Sequence, residues 1–256
     1  MRSNQRVTCP ICGGNCFLLD VVDFNKSCEE ARGKFLELSG IPIYYQFCDN
    51  CNFCFAPEIA LWPFDDFEQK IYNNHYIDVD PDYIEVRPRG NALRLISMFK
   101  GHAQSIKHLD YGGGEGVLSK TLRDAGWNSD SYDPFIEKGN DIRDLGCFDL
   151  ITAYEVFEHV PDVHQLMSNL RLLLAPNGII LFSTLVSDAN IKKNSRLTWW
   201  YASPRNGHIS LFSKKSLVHL ASRYGFNSGS FSTGFHVYFT SIPNWASHII
   251  RLNGQS

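Results

Sequence analysis

The chain has 256 residues, of which 44% are hydrophobic and 20% charged, with a formal net charge of −3. That is an ordinary globular composition, long enough for one large domain or a main domain with an accessory piece. The charge balance excludes a global electrostatic pull toward nucleic acid, and no apolar run approaches the roughly 20 residues a membrane helix needs. The first residues, Met1-Arg2-Ser3-Asn4-Gln5-Arg6, carry no apolar core of a secretory signal, so a cytoplasmic protein is expected.

Residues 1–62 stand apart because seven of the eight cysteines fall there. A reducing compartment disfavours disulfides, so these cysteines point to other chemistry. Cys9-Pro10-Ile11-Cys12 and Cys48-Asp49-Asn50-Cys51 are two Cys-x-x-Cys knuckles. Each offers two thiolates from one tight turn, and together they make a tetrahedral set for a structural Zn(2+). The separation of Cys12 from Cys48 exceeds the about 15–20 residues of a common zinc ribbon, and a helical insertion over 29–38 is expected to fill it. Cys16 and Cys54 are alternative ligands.

Residues 63–104 read as a helical connector or lid. Phe64, Phe67, Ile71 and Tyr72 fit a short amphipathic helix, Pro81 and Pro88 interrupt the next stretch, and 91–100 reads as a second helix ending at Gly101. From 105 to 241 the chain alternates strand and helix. Strands are expected at 106–111, 128–133, 148–154, 179–186, 226–233 and 235–241, and helices at 116–125, 162–174 and 213–224, the last capped by Ser213. Repeated βα units predict a parallel sheet with helices on both faces. Residues 242–256 are left as a C-terminal tail.

The most informative segment is Asp110-Tyr111-Gly112-Gly113-Gly114-Glu115-Gly116, between the first of these strands and its helix. A strand, a glycine-rich turn and a helix is where open α/β sheets bind nucleotides. The dinucleotide fingerprint Gly-x-Gly-x-x-Gly is not met, since its sixth position is Val117, and this disfavours a nicotinamide oxidoreductase. The pattern resembles motif I of class I S-adenosylmethionine (SAM)-dependent methyltransferases. The resemblance covers roughly residues 105–240 and implies an α/β, Rossmann-like, seven-stranded, mostly parallel sheet behind a small N-terminal zinc-ribbon-like module. It also implies SAM as cofactor. Asp110, Gly112, Gly114 and Gly116 would approach its methionine half, and Asp133, ending the second strand, would accept from the ribose hydroxyls. Asp141 and Ile142, in Asn140-Asp141-Ile142, would touch the adenine.

The segment 148–162, Phe-Asp-Leu-Ile-Thr-Ala-Tyr-Glu-Val-Phe-Glu-His-Val-Pro-Asp, looks like a further motif of the family in its Glu-x-x-Glu-His form. Tyr154 and Glu155 would sit beside the methionine part of SAM and the acceptor, with Glu158 and His159 starting the next loop. The aromatic segment 196–213 would supply an acceptor wall, with His208 as base or substrate contact, and Arg196 and Arg205 could grip an anionic group. His208, His159 and Glu155 are therefore the catalytic candidates. Two knuckles ahead of this fold are similar to bacterial sugar C-methyltransferases, which usually carry an acidic residue where this chain has Gly207. The Glu-x-x-Glu-His segment is shared with quinone-type O-methyltransferases. The expected function is SAM-dependent C- or O-methylation of a small-molecule or sugar- or glycan-linked acceptor. The competing reading is an inactive methyltransferase fold that uses its zinc ribbon to recognise protein or RNA. Few clustered lysines or arginines in 1–62 disfavour nucleic acid.

Overall fold

The computed structural model describes residues 7–137 and 141–250. Asn140 and the end of the expected tail lie outside the described residues. The chain forms two compact units, each woven from more than one stretch of sequence. One takes the chain up to Pro81 with Phe157–Val163 and Thr184–Arg223. The other takes Asp82–Val156, His164–Ser183 and the chain from Tyr224. No helix among the described residues is long and apolar enough to cross a membrane.

The first unit is built on a five-stranded sheet of order β1-β2-β3-β4-β9. Its members are β1 (Val7–Thr8), β2 (Asn15–Asp23), β3 (Pro42–Cys48), β4 (Cys54–Phe55) and β9 (Ser210–Leu211), all antiparallel. The knuckle turns join β1 to β2 and β3 to β4. The expected helix at 29–38 is replaced by a 3-10 turn, Cys28–Arg32, which ends at Gly33 in the left-handed conformation with irregular chain after it. Helices α1 (Phe64–Lys70) and α2 (Tyr76–Val79) follow in this unit. Its last helix, α6 (Lys214–Arg223), begins as expected at Ser213. The Ser213 amide donates to Ser216 Oγ at 2.9 Å and the Ser216 amide to Ser213 Oγ at 3.0 Å, a reciprocal cap that satisfies two otherwise orphaned donors.

The second unit carries a six-stranded sheet of order β10-β11-β8-β7-β5-β6. Strands β5 (Lys107–Tyr111), β6 (Asn128–Tyr132), β7 (Phe148–Tyr154) and β8 (Leu174–Ser183) are mutually parallel; β11 (Phe235–Phe239) and β10 (Asn227–Ser230) run antiparallel at one edge. The α/β, mostly parallel architecture matches the expectation. Among the described residues this sheet has six strands, one for each strand segment expected from 105 to 241, where the family resemblance implied seven. Helix α4 (Val117–Asp124) connects β5 to β6 and α5 (Val163–Leu173) connects β7 to β8. Helix α3 (Val86–Met98) starts ahead of Pro88 instead of after it. Proline in a first turn forfeits no intrahelical bond, so it does not end the helix there. Ala92, Leu95 and Phe99 pack with Leu118 and Leu122 of α4 and Leu150, Ile179 and Val237 of the sheet in one buried core. The sheet thereby presents the carboxyl ends of β5, β6 and β7 together, the place where open α/β sheets bind ligands.

Candidate functional site

The glycine turn leaves β5 with its backbone held against β6. The Gly112 amide donates to the Tyr132 carbonyl at 2.8 Å, and the Gly114 amide to Asp133 Oδ2 at 2.9 Å. Gly112, Gly114 and Gly116 all have positive φ. Gly113 is glycine for a different reason: a Cβ there would lie 2.3 Å from Ser131 Oγ and 2.8 Å from Asp110 Oδ2. At Gly114 a Cβ would meet nothing within 4 Å, so this face of the turn is open for a ligand to approach the bare backbone.

Asp110 is 4% exposed and Thr152 Oγ1 donates to its Oδ1 at 2.6 Å. Burial pushes its carboxyl up to about 7, and the nearby Asp133 charge pushes the same way against the Thr152 bond. Ser131 Oγ and the Tyr154 hydroxyl are buried and find no hydrogen-bond partner among the described residues. A natural sheet satisfies nearly all such groups, so two orphaned hydroxyls beside a buried carboxyl mark a place for a polar ligand. Asp133 accepts from the Gly114 and Phe135 amides, one on each oxygen, and an ionised carboxylate has lone pairs left for two ribose hydroxyls. Asp141 instead caps a 3-10 turn that begins at Ile142, and its exposed carboxylate pairs with the Arg143 guanidinium, which holds it down at about 2. The chemistry of this set fits SAM: open backbone at Gly114, a carboxylate with lone pairs free to accept hydroxyls, and two buried hydroxyls with no partner among the described residues.

Glu155 follows β7 with φ 54, a left-handed conformation unusual for a residue with a side chain. Ser183 Oγ holds it twice, accepting from its amide at 2.8 Å and donating to its Oε1 at 2.7 Å. Such retained strain gathers at functional sites.

The remaining candidates cluster in the first unit. Glu158 is fully buried, and the Tyr201 hydroxyl donates to its Oε1. The His159 and His208 rings lie 4.8 Å apart, edge to face. Glu158, His159 and His208 each offer a donor atom, all within 4.8 Å of one another, a set able to hold a divalent cation. His208 Nδ1 is 2.8 Å from the Tyr201 carbonyl, which fixes that nitrogen as the protonated one and leaves Nε2 with the lone pair. Tyr45 of β3 donates to the His208 carbonyl at 2.7 Å. Gly207 has φ 85, and a Cβ on it would come within 3.1 Å of both His159 Nδ1 and the Tyr72 hydroxyl. A side chain at this position would be strained by the left-handed backbone and would need His159 or Tyr72 to give way by a few tenths of an ångström. Arg205 is buried with its guanidinium donating to the Ile71 carbonyl at 3.0 Å, and Arg196 pairs with Asp20 at 2.8 Å, so both expected anion grips have internal partners. Sequence reasoning gave Tyr201 a place in the aromatic wall and Tyr72 one in an amphipathic helix, without their partners, and overlooked Tyr45, since an isolated tyrosine carries no spacing signal.

The two knuckles meet. Sγ of Cys9 lies 3.6 Å from that of Cys51, Sγ of Cys12 lies 3.4 Å from that of Cys48, and all four sulfurs fall within 4.8 Å of one another. Tetrahedral Zn–S bonds of about 2.3 Å place sulfurs about 3.8 Å apart, so the thiols suit that ion. Cys16 sits opposite Cys48 across β2 and β3, and its hydrogen bond is the main reason the Cys9 thiol lies far below its usual range. Cys54 is fully buried and burial alone pushes its thiol up.

A family profile described as "Methyltransferase domain" matches residues 83–228, more than half of the chain. Among curated proteins, the ubiquinone biosynthesis O-methyltransferase of Bordetella avium is 31% identical over 121 residues, 37% of this chain and 50% of that protein. The one from Pasteurella multocida is 45% identical over 51 residues, 20% of this chain and 19% of that protein. The chain thus spans half or less of the length of these relatives. A solved O-methyltransferase family protein from Burkholderia thailandensis aligns with a TM-score of 0.44 at 14% identity, covering 61% of this chain and 58% of that one. On the profile match, this chain belongs to the methyltransferase-domain family.

Proposed function

We propose that the protein is a class I SAM-dependent methyltransferase acting on a small-molecule or sugar- or glycan-linked acceptor, by O- or C-methylation. The observation that carries this reading is the glycine turn: bare backbone open at Gly114, Asp133 at the tip of β6, and two orphaned hydroxyls beside Asp110. SAM supplies an electrophilic methyl on a sulfonium, so the protein must position an acceptor nucleophile in line and exclude water. His208, with Nδ1 tied to the Tyr201 carbonyl, is the proposed base through Nε2. His159 and Glu155 are proposed to orient the acceptor from the loop that leaves β7. The names of the relatives favour an oxygen acceptor, and the knuckle module supports the sugar alternative. The four knuckle thiols are proposed to hold structural Zn(2+), and 1–62, 63–104 and 105–241 to act as zinc module, connector and SAM domain. We assign the protein to the cytoplasm, in keeping with its free thiols.

The test is calorimetry with SAM and S-adenosylhomocysteine (SAH), then methyl transfer from labelled SAM to panels of phenols and nucleotide-linked sugars. Binding of both nucleosides and acceptor-dependent SAH formation, lost in His208→Gln with SAM affinity retained, is the expected outcome. Failure of the wild-type chain to bind either nucleoside refutes the assignment.

A further inference from the structure

A further thiol stands beside the four knuckle sulfurs. Cys16, on β2, falls outside the set whose sulfurs all lie within 4.8 Å of one another. Its thiol nevertheless interacts with those of Cys9 and Cys48. Cys16 is half-buried, whereas Cys48 is fully buried. The zinc reading of the knuckles leaves Cys16 without a role.

The ladder between β2 and β3 fixes how Cys16 and Cys48 face each other. They are direct partners in an antiparallel pair, so their side chains leave the sheet on the same face. The Asp49 amide donates to the Asn15 carbonyl at 3.3 Å, which makes Asn15 and Asp49 a hydrogen-bonded pair. The Cys48 amide turns the other way and donates to the Phe53 carbonyl at 2.9 Å. Cys16 and Cys48 are therefore a non-hydrogen-bonded pair, the arrangement that sets opposite Cα atoms about 4.5 Å apart and brings side chains closest. That separation lies inside the span of about 4.4–6.8 Å that a disulfide bridges without moving the backbone. The adjoining pair, Phe17 and Phe47, is in contact on the other face with ring centroids 5.6 Å apart, which holds the register here. Strand β1 places Val7 opposite Cys16 and ends at Thr8, so Cys9 lies beyond that pairing.

We infer that Cys16 and Cys48 form a thiol–disulfide exchange site, at which a low-molecular-weight disulfide such as oxidised glutathione links the two and costs the knuckles their zinc. This rests on the zinc reading above. The half-buried Cys16 sulfur attacks one sulfur of oxidised glutathione and the S–S bond breaks. Cys16 becomes a mixed disulfide, and the first glutathione leaves with the Cys16 proton. The Cys48 sulfur then attacks the Cys16 sulfur, and the second glutathione leaves as a thiolate that takes a proton from water. Two cysteine sulfurs are oxidised by two electrons, and one glutathione disulfide is reduced to two glutathiones. With Cys48 in a disulfide, only three knuckle thiols remain, too few for the closed tetrahedral set of a structural zinc. Excess reduced glutathione runs the exchange backwards, so in a reducing compartment the link is transient.

The experiment incubates the zinc-loaded full chain with oxidised glutathione and follows zinc release with a chromogenic chelator. Acid quenching, alkylation and mass spectrometry of digests then map the disulfides. A Cys16–Cys48 cross-link is expected, with zinc released in step with it, and dithiothreitol with added zinc should reverse both. Cys16→Ser keeps all four ligands, so it should hold wild-type zinc content and release the metal at least about tenfold more slowly. Cys147→Ser removes an exposed thiol and should leave the release unchanged. Zinc release from Cys16→Ser at the wild-type rate overturns the inference. So does a first cross-link within a knuckle, Cys9–Cys12 or Cys48–Cys51, or one between Cys16 and Cys9. Cys16 recovered only as its glutathione adduct, with zinc retained, overturns it as well. A reduced chain that takes up no zinc removes the metal reading, while the cross-link map still decides whether Cys16 and Cys48 pair.

Discussion

Gly113→Ala isolates the steric requirement of the glycine turn, because φ at this residue imposes no strain on a side chain. The new Cβ would stand 2.3 Å from Ser131 Oγ, 2.8 Å from Asp110 Oδ2 and 3.1 Å from the Asp110 carbonyl oxygen. Ser131 can rotate its hydroxyl away. Asp110 cannot yield as easily, since Thr152 pins its carboxyl at 2.6 Å and its carbonyl belongs to the backbone of a central strand. Reaching ordinary contact at 3.4 Å requires a displacement of about 0.6 Å at Oδ2 and 0.3 Å at the carbonyl. Overpacking of this kind costs about 1–3 kcal/mol, which for a chain of this length lowers Tm by about 2–12 °C. The same displacement moves the ligand face of the turn, so SAH affinity should fall at least about tenfold, equivalent to about 1.4 kcal/mol. Ser131→Ala alone removes a buried hydroxyl with no partner among the described residues and should leave fold stability unchanged or raised. Combined with Gly113→Ala, it should recover about 1 kcal/mol, a coupling a double-mutant cycle detects. Denaturant melts and calorimetry read all four corners. Equal stability and SAH affinity for Gly113→Ala and wild type would refute the packing argument for this turn.

Gly114→Arg has open space but a left-handed backbone and a side chain in the ligand path; SAM binding should disappear in calorimetry while the far-ultraviolet spectrum is retained. Cys48→Ser should reduce zinc content measured by elemental analysis and lower thermal stability, whereas Cys54→Ser should leave the metal stoichiometry unchanged. Tyr45→Phe removes the bond to the His208 carbonyl, costing about 1 kcal/mol of stability and lowering kcat with SAM affinity unaltered, as steady-state kinetics would report. Asp110 sits at about 7 when folded against about 3.9 unfolded, so its favourable contribution is complete below about pH 4 and is lost as pH rises through 7. Asp110→Asn should therefore gain on wild type by about 2–3 kcal/mol between pH 5 and pH 8 in denaturant melts of the free protein.

Much of this protein was legible because the signals are local. Leu109 through Val117 specify a strand, a turn and a helix start within one short window, and the alternation of βα units fixed a parallel sheet. Each Cys-x-x-Cys knuckle marks two candidate ligands by its spacing. Helix α6 could be placed by Ser213 and its apolar stripe because capping and periodicity act over a single turn or two. The misread elements were also local. The 29–38 insertion failed as a helix where Gly33 turned left-handed, and α3 began early because Pro88 falls in its first turn.

The tertiary structure decided what no window could hold. Choosing Cys9, Cys12, Cys48 and Cys51 over Cys16 and Cys54 required knowing which sulfurs converge. Pairing of β9 with β4 brings Ser210 and Leu211 into the knuckle module's sheet from more than 150 residues away, and Tyr45 reaches His208 across a similar interval. The hydrogen bonds from Ser129 through His108 and Thr152 to Asp110 exist only because three strands align in one register. Sequence spacing encodes contacts along one helix face or one strand. Contacts between strands depend on which neighbours the sheet assigns, and that assignment is made by burying the whole core at once.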